Sequence, residues 1–278
     1  MNYHKFKNGA NNKGFTLLEL MIALAITGIV MAAVYSASKT QQDSYIAQEE
    51  VATMQQNIRS AMYYMEREIR MAGYDPSSNT NAGFLTAGPN SINFTLDLNG
   101  NGSLVGDPNE DITFGFSSAN DANLDGIADA GGATLGRKSS AAGTFQPIAD
   151  NVHAIGFAYA FDNNNDGQLD TNAAPGSIIW AIDSDGDGSL DTDLDTNDDG
   201  SVTSLDNPAG TAMATTAGIQ AIRAVQLWLL VRTGRTDKSM VDTRTYVVGN
   251  KRITPAGNDR LFKYRILNCT ITCRNMGL

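Results

Sequence analysis

FTLLELMIALAITGIVMAAVYSA, residues 15–37, decides the architecture. It runs for 23 residues with one charge, Glu19, and ~20 apolar residues are enough for a helix to cross a bilayer. The preceding MNYHKFKNGANNKG, residues 1–14, carries Lys5, Lys7 and Lys13 and no acid. Positive charge on that side predicts a cytoplasmic N-terminus and an exported remainder. A secretory signal would have a shorter apolar core followed by a small-residue cleavage site, whereas this run continues into further helix. Glu19 has no use in a plain anchor, because a carboxylate near the start of a lipid-facing helix costs about 2.5 to 3.5 kcal/mol unless something pairs with it.

Beyond the apolar run, Val51, Met54, Ile58, Met62, Met65, Ile69 and Ala72 recur at spacings of three and four, with Glu49, Glu50, Arg59, Glu66, Arg67, Glu68 and Arg70 on other faces. That periodicity predicts a continued helix with one stripe to bury. Gly73 followed by Pro76 ends it. Residues 15–72 would then span about 87 Å at 1.5 Å per residue. The methionines of the stripe read as core filler. Thr27 and Gly28 sit mid-span, where Gly is common in membrane helices.

The chain has 278 residues, a formal charge of −10 and 42% apolar residues. The negative charge argues against a nucleic-acid partner, and the apolar share can fill a core. Two histidines, His4 and His153, leave little material for base or triad chemistry, so an enzyme is not expected. Strand patterns fall at 91–96, 112–116, 153–161, 177–182, 222–232, 243–248 and 261–273. In the fifth, Val225, Leu227, Leu229 and Val231 share a face fit to pack on the helix stripe. The fold class is α+β, one long helix laid on an antiparallel sheet. His153, Trp180 and Trp228 read as structural. Cys269 and Cys273, the two cysteines, lie about 13 Å apart in an extended strand. A bridge would need a bulge or tight turn between them. An exported compartment permits oxidation, so a disulfide stays open.

Lys13-Gly14-Phe15-Thr16-Leu17-Leu18-Glu19 resembles the prepilin cleavage and methylation motif: a basic leader ending in Gly, then Phe, with Glu at the fifth mature position. The resemblance implies a prepilin peptidase that cuts between Gly14 and Phe15, N-methylation of Phe15, and an assembly role for Glu19. Inside a fibre Glu19 could neutralise the terminal ammonium of a neighbour's Phe15, because a desolvated charge must be paired. The stretch from Tyr63 to Tyr74, together with Tyr246 to Leu278, resembles the PilW family of minor pilins, relatives of the GspJ pseudopilins. By that resemblance the organisation is a leader (1–14), a transmembrane and fibre-core helix (15–38), an amphipathic half-helix (39–76) and a β-rich, pilin-like head (77–278). The resemblance covers roughly 13–76 and 220–278, and the middle departs from it.

That middle repeats a six-residue pattern, D-x-[DN]-x-[DN]-G, beginning at Asp97, Asp121, Asp162, Asp183 and Asp195. Oxygen ligands on alternate residues before a Gly are how EF-hand-like loops wrap Ca²⁺. The last three copies give the richer ligand sets. The candidate ligands are Asp162, Asn164, Asp166, Gln168 and Asp170; then Asp183, Asp185, Asp187, Ser189 and Asp191; then Asp195, Asn197, Asp199, Ser201 and Asp206. None has the bidentate Glu at the twelfth position, and no helix pair flanks them, so they are similar to the single calcium loops of dockerins. The alternative is a solvated acidic segment with Asn-Gly and Asp-Gly turns. Charge placement bears on the choice: loss of the three leader lysines would bring −10 to −13, and residues 139–222 hold thirteen Asp with no Lys, Arg or Glu. Such a cluster repels itself unless cations occupy it.

The expected function is a minor pilin acting in type IV pilus assembly or initiation, at the tip, with weakly bound Ca²⁺ in its head. Expected partners are other pilins and minor pilins, the prepilin peptidase, an inner-membrane assembly platform and, before assembly, the lipid bilayer. The expected location is the inner membrane in a single pass, with the head periplasmic, and then the pilus. A type II secretion pseudopilin and a membrane-tethered calcium-dependent adhesin remain as alternatives.

Overall fold

A run of 53 residues, Leu17–Ile69, forms the single α-helix, α1, among the residues described, which in this computed structural model are 14–173 and 176–277. The leader residues His4, Lys5, Lys7 and Lys13 lie outside that range. The chain divides into two units between Glu49 and Glu50. In the first unit the helix exposes Leu17, Leu18, Met21, Leu24, Ile29 and Val34, and it is long and apolar enough to cross a membrane. It runs unbroken through Gly28, with the Thr27 hydroxyl donating to Ala23 O at 2.7 Å.

In the second unit the stripe is buried as its period predicts: Met54, Ile58, Met62, Met65 and Ile69 join one core with Val225, Leu227, Leu229 and Val231. The helix ends where Gly73 takes φ 76° and its N–H leaves the helix for Thr95 O, 3.0 Å away. A positive φ is strained for any residue with a Cβ, so glycine belongs there.

The sheet is antiparallel throughout. β1 (Phe84–Ala87), β2 (Ile92–Thr95), β3 (Asp111–Gly115) and β4 (Ala133–Lys138) follow one another by simple pairing. They lead to β5 (Gln146–Phe161), which carries β4 and then β6 (Ala181–Ile182) along one side. β7 (Ser189–Asp193) and β8 (Thr211–Gly218) extend the sheet from β6. On the other side of β5 lies β9 (Ile222–Arg232). A separate hairpin, β10 (Tyr246–Val248) with β11 (Lys251–Ile253), precedes β12 (Tyr264–Thr272), which pairs with β9 over its whole length.

β9 is buried on both faces, which accounts for its nearly continuous apolar run. Ala224, Trp228 and Leu230 face a second core that holds Trp180, Leu194, Tyr246, Val248 and Ile253. β5 divides its residues the same way: Val152, Ile155, Phe157, Tyr159 and Phe161 go to the helix side, and Ala154, Ala158 and Ala160 to the other. Gly156 lies among these small residues, and a Cβ on it would meet the backbone of Val248 at 2.9 Å. The β10–β11 hairpin therefore sits flush on the strand.

Burial of Trp180, Trp228 and His153 agrees with the structural roles expected of them; His153 Nδ1–H donates to Gly131 O. Burial lowers the pKa of His153. A disulfide between Cys269 and Cys273 is not formed. β12 is extended through Cys269, and the thiols meet different turns of α1: Cys269 Sγ lies 3.2 Å from Met62 Sδ, and Cys273 Sγ faces Ile69 O at 3.7 Å. Helix and sheet are also joined by charge, with Arg137 Nε of β4 donating to Glu68 Oε2 of α1 at 2.6 Å.

Several strand expectations need correction. β5 begins at Gln146, seven residues before the predicted 153. The span 177–182 keeps only Ala181–Ile182 as strand, with Ile178 in an isolated bridge to Thr171. β1, β4, β7, β8 and β11 had no alternating apolar pattern to betray them.

Candidate functional site

Two features stand apart from the packed core. At the N-terminus Gly14 and Phe15 precede the helix and are exposed. Thr16 and Glu19 form a reciprocal capping box: Thr16 N–H donates to Glu19 Oε2 at 2.8 Å, and Glu19 N–H donates to Thr16 Oγ1 at 3.2 Å. The sequence signal for it is T-x-x-E before an apolar run. Within the subunit the carboxylate thus caps its own helix.

The second feature is the set of aspartate loops. Four of the five start within two residues of a strand end, at Asp97 after β2, Asp162 after β5, Asp183 after β6 and Asp195 after β7. All five share one wiring. The glycine N–H donates to the first aspartate: Gly102 to Asp97 at 3.0 Å, Gly126 to Asp121 at 2.8 Å, Gly167 to Asp162 at 3.0 Å, Gly188 to Asp183 at 3.0 Å and Gly200 to Asp195 at 2.5 Å. These glycines have φ between 75° and 86°, the left-handed turn the motif's Gly permits. The residue after each glycine donates its N–H to the fifth loop position, as Gln168 does to Asp166, Ser189 to Asp187 and Ser201 to Asp199.

A later carboxylate closes each ring against the second position. Asp170 accepts from Asn163 N–H at 3.2 Å, Asp191 from Ser184 N–H at 3.2 Å, and Asp206 from Thr196 N–H at 2.9 Å. The predicted residues Asp170, Asp191 and Asp206 are therefore brought to their loops. Asn164 and Asn197 turn their Oδ1 to the N–H of Asp166 and Asp199. Carboxylate oxygens of Asp183, Asp185 and Asp187 lie within 4.8 Å of one another.

Polar turns share such hydrogen bonds. Here the first aspartates are 0 to 4% exposed. Among the described residues the ion pairs use other acids, and none involves a loop carboxylate. Burial pushes Asp193, beside the fifth loop, up to about 6, with the charges of Asp195 and Asp198 adding to the rise. Three loops have a cation nearby: Arg223 donates to Asn165 Oδ1 of the third at 3.3 Å, Arg252 donates to Asp206 O of the fifth at 3.0 Å, and Lys251 approaches the second. Its Nζ donates to Ile155 O at 3.1 Å, and burial pulls its pKa down to about 8 against the charges of Asp125 and Asp121.

The first loop is closed by a residue sequence reasoning overlooked. Glu110, at the foot of β3, accepts from Leu98 N–H at 3.0 Å and Asn99 N–H at 3.1 Å. It stands at the fourteenth position, outside the span of the motif.

A long apolar N-terminal helix whose second half packs on an antiparallel sheet is the build of a pilin subunit. Residues 9–35 match the prokaryotic N-terminal methylation motif, and residues 47–157 match the family described as prepilin peptidase-dependent protein B. Residues 127–275 match the family described as type IV pilus-assembly protein W, and the chain belongs to that family. It is a type IV minor pilin with a prepilin motif, involved in pilus assembly. The match runs through residues 139–222, so the departure expected there is corrected: the last three loops decorate strands that the family match includes. No curated protein matches the chain. Among solved structures it is similar to the Type IV-like pilin TTHA1219 from Thermus thermophilus, with 10% identity, 80% of this chain and 98% of that chain covered, and a TM-score of 0.39.

Proposed function

We propose that this minor pilin is cut between Gly14 and Phe15, methylated on Phe15, and held in the inner membrane with its N-terminus cytoplasmic and its head periplasmic. The assembly platform then passes it from the lipid bilayer into the fibre, at the tip, where Glu19 pairs with a neighbour's terminal amine. Ca²⁺ in the loops starting at Asp162, Asp183 and Asp195 holds the acidic part of the head together.

One observation carries the calcium reading: Asp162, Asp183 and Asp195 are buried and, among the described residues, none of them is in an ion pair. A buried charge without a partner costs several kcal/mol, and a divalent ion bound by flexible oxygens offsets that cost. Loops without a twelfth-position Glu belong to the weak extracellular range, with dissociation constants of ~10⁻⁴ to 10⁻³ M. At ten times that concentration one ion adds about 1.4 kcal/mol of stability by mass action.

Thermal unfolding of the full-length protein in detergent tests this. Ca²⁺ should raise Tm by about 3 to 6 °C per ion bound, Mg²⁺ should do little, and Asp183→Ala with Asp195→Ala should remove most of the rise. A Tm indifferent to Ca²⁺ and to chelator would return the loops to acidic turns. Gold-labelled subunits imaged on isolated pili test the tip position, and label spread along the shaft would refute it.

A further inference from the structure

We infer that the connection between β2 and β3 is a further Ca²⁺ site, held by Asp97, Asn99, Asn101 and Glu110, and that its ion fastens the end of α1 to the sheet. Loops one and four share the same wiring, with the N–H of Gly100 and of Gly186 also given to the first aspartate, but loop one alone is closed by a glutamate. Glu110 is 1% exposed and Asp97 fully buried. The Asp97 oxygens accept from Gly100 N–H at 2.7 Å and Gly102 N–H at 3.0 Å.

Glu110 spends one oxygen on the loop, Oε1 taking the N–H groups of Leu98 and Asn99. The other oxygen, Oε2, is buried and has no hydrogen-bond partner. A carboxylate oxygen shut from water in the loop that the buried Asp97 begins, with no Lys or Arg paired to either among the described residues, is a free acceptor at a doubly negative spot. A side-chain donor could satisfy one lone pair there. A cation satisfies the oxygen and the charge together.

The chemistry of the set selects the ion. Two carboxylates and two amide oxygens are hard ligands, and a glutamate arriving last is how EF-hand loops gain their bidentate ligand. Its arrival from position fourteen instead of twelve is set by the hairpin: Leu96 N–H donates to Glu110 O at 3.0 Å, which places Glu110 across from the start of the loop. Mg²⁺, which demands a rigid octahedron, suits such a loop poorly.

The ion's position gives it a mechanical role. Asp97 N–H donates to Tyr74 O at 2.7 Å, and Gly73 N–H to Thr95 O at 3.0 Å, so the loop is hydrogen-bonded to the residues on which α1 ends. Pro76 and Ser77 lie against Gly100 and Gly102. An ion at Asp97 and Glu110 would stiffen the corner where the assembly helix meets the head.

This rests on the reading that loops of this form take Ca²⁺, and the test separates the two. Bound ⁴⁵Ca²⁺ is counted by equilibrium dialysis on full-length protein in detergent. The proteins are wild type, a variant carrying Asp162→Asn, Asp183→Asn and Asp195→Asn, and each of these with Glu110→Gln. The triple variant should keep at least one ion, and Glu110→Gln should remove one from both backgrounds or weaken it at least tenfold. If Glu110→Gln changes neither count while the triple variant loses ions, the later loops stand and this site falls. If wild type binds none, both fall. Should Glu110→Gln fail to fold, elastase cleavage after the exposed Val105 supplies the second readout. Ca²⁺ should slow that cut at least tenfold in the triple variant, and an unchanged rate overturns the inference.

Discussion

Replacing Arg137 by methionine would test how the helix is held to the head. Arg137 Nε lies 2.6 Å from Glu68 Oε2, with the two side chains only 10% and 14% exposed, and Arg137 Nη1 also donates to Asn109 Oδ1 at 3.0 Å. Arg137→Met leaves the Glu68 carboxylate against the sheet with no counter-charge. Removing one partner of a buried pair costs about 3 to 5 kcal/mol. Because each side chain keeps some contact with water, the lower end applies, about 3 kcal/mol. For a head of this size that is a fall in Tm of about 6 to 12 °C. Glu68→Gln with Arg137→Met removes both charges and should recover about 2 kcal/mol of the loss, since a neutral amide is far cheaper to bury than a lone carboxylate. Urea unfolding followed by tryptophan fluorescence is the assay, because Trp180 and Trp228, the two tryptophans, are both buried in the head. The reasoning is refuted if the single variant loses under about 1 kcal/mol, or if the two substitutions add with no coupling.

Two further predictions concern charge. Asp242 is held down to about 2 by the Arg244 guanidinium, with the Tyr246 hydroxyl also donating to it at 2.7 Å. A folded pKa below the unfolded value of about 3.8 stabilises above pH ~4, and that stability is lost as pH falls toward 2. Asp242→Asn should therefore unfold about 2 kcal/mol more easily than wild type at pH 6, with the gap closing by pH 2; a gap constant with pH would contradict this. At the N-terminus, Glu19→Gln keeps an acceptor for Thr16 N–H and loses only the charge, while Glu19→Val loses the cap as well, worth about 1 kcal/mol. Both should insert in the membrane and neither should enter pili. Normal incorporation of the glutamine variant would show that capping is the whole role of Glu19.

The elements legible in the sequence are those whose burial follows a period. The stripe from Met54 to Ala72 and the alternation of Val225 to Val231 met in one core as their spacing required. The second face of β9 was harder to read, because the hairpin that covers it, β10–β11, is too short to show a pattern of its own. β8 (TAMATTAG) was invisible, since an exposed strand of small residues has no buried face to impose alternation. The loops announced themselves, because their repeating residues are local. Their ranking did not, because Glu110 reaches the first loop only through the pairing of β2 with β3, and burial of the leading aspartates is a property of the fold.

The glycine wiring of these loops bears on how the molecule ages. Asn-Gly and Asp-Gly are the dipeptides most prone to succinimide formation, in which the glycine nitrogen attacks the preceding side chain. The head carries Asn99-Gly100, Asn101-Gly102, Asp125-Gly126, Asp166-Gly167, Asp185-Gly186, Asp187-Gly188 and Asp199-Gly200. In every one of them that nitrogen is engaged, its N–H given to the first aspartate of its own loop. Ring closure must first break that bond and swing the nitrogen out of a left-handed turn. The contacts that shape the loops thus also slow their chemical decay for as long as the head stays folded.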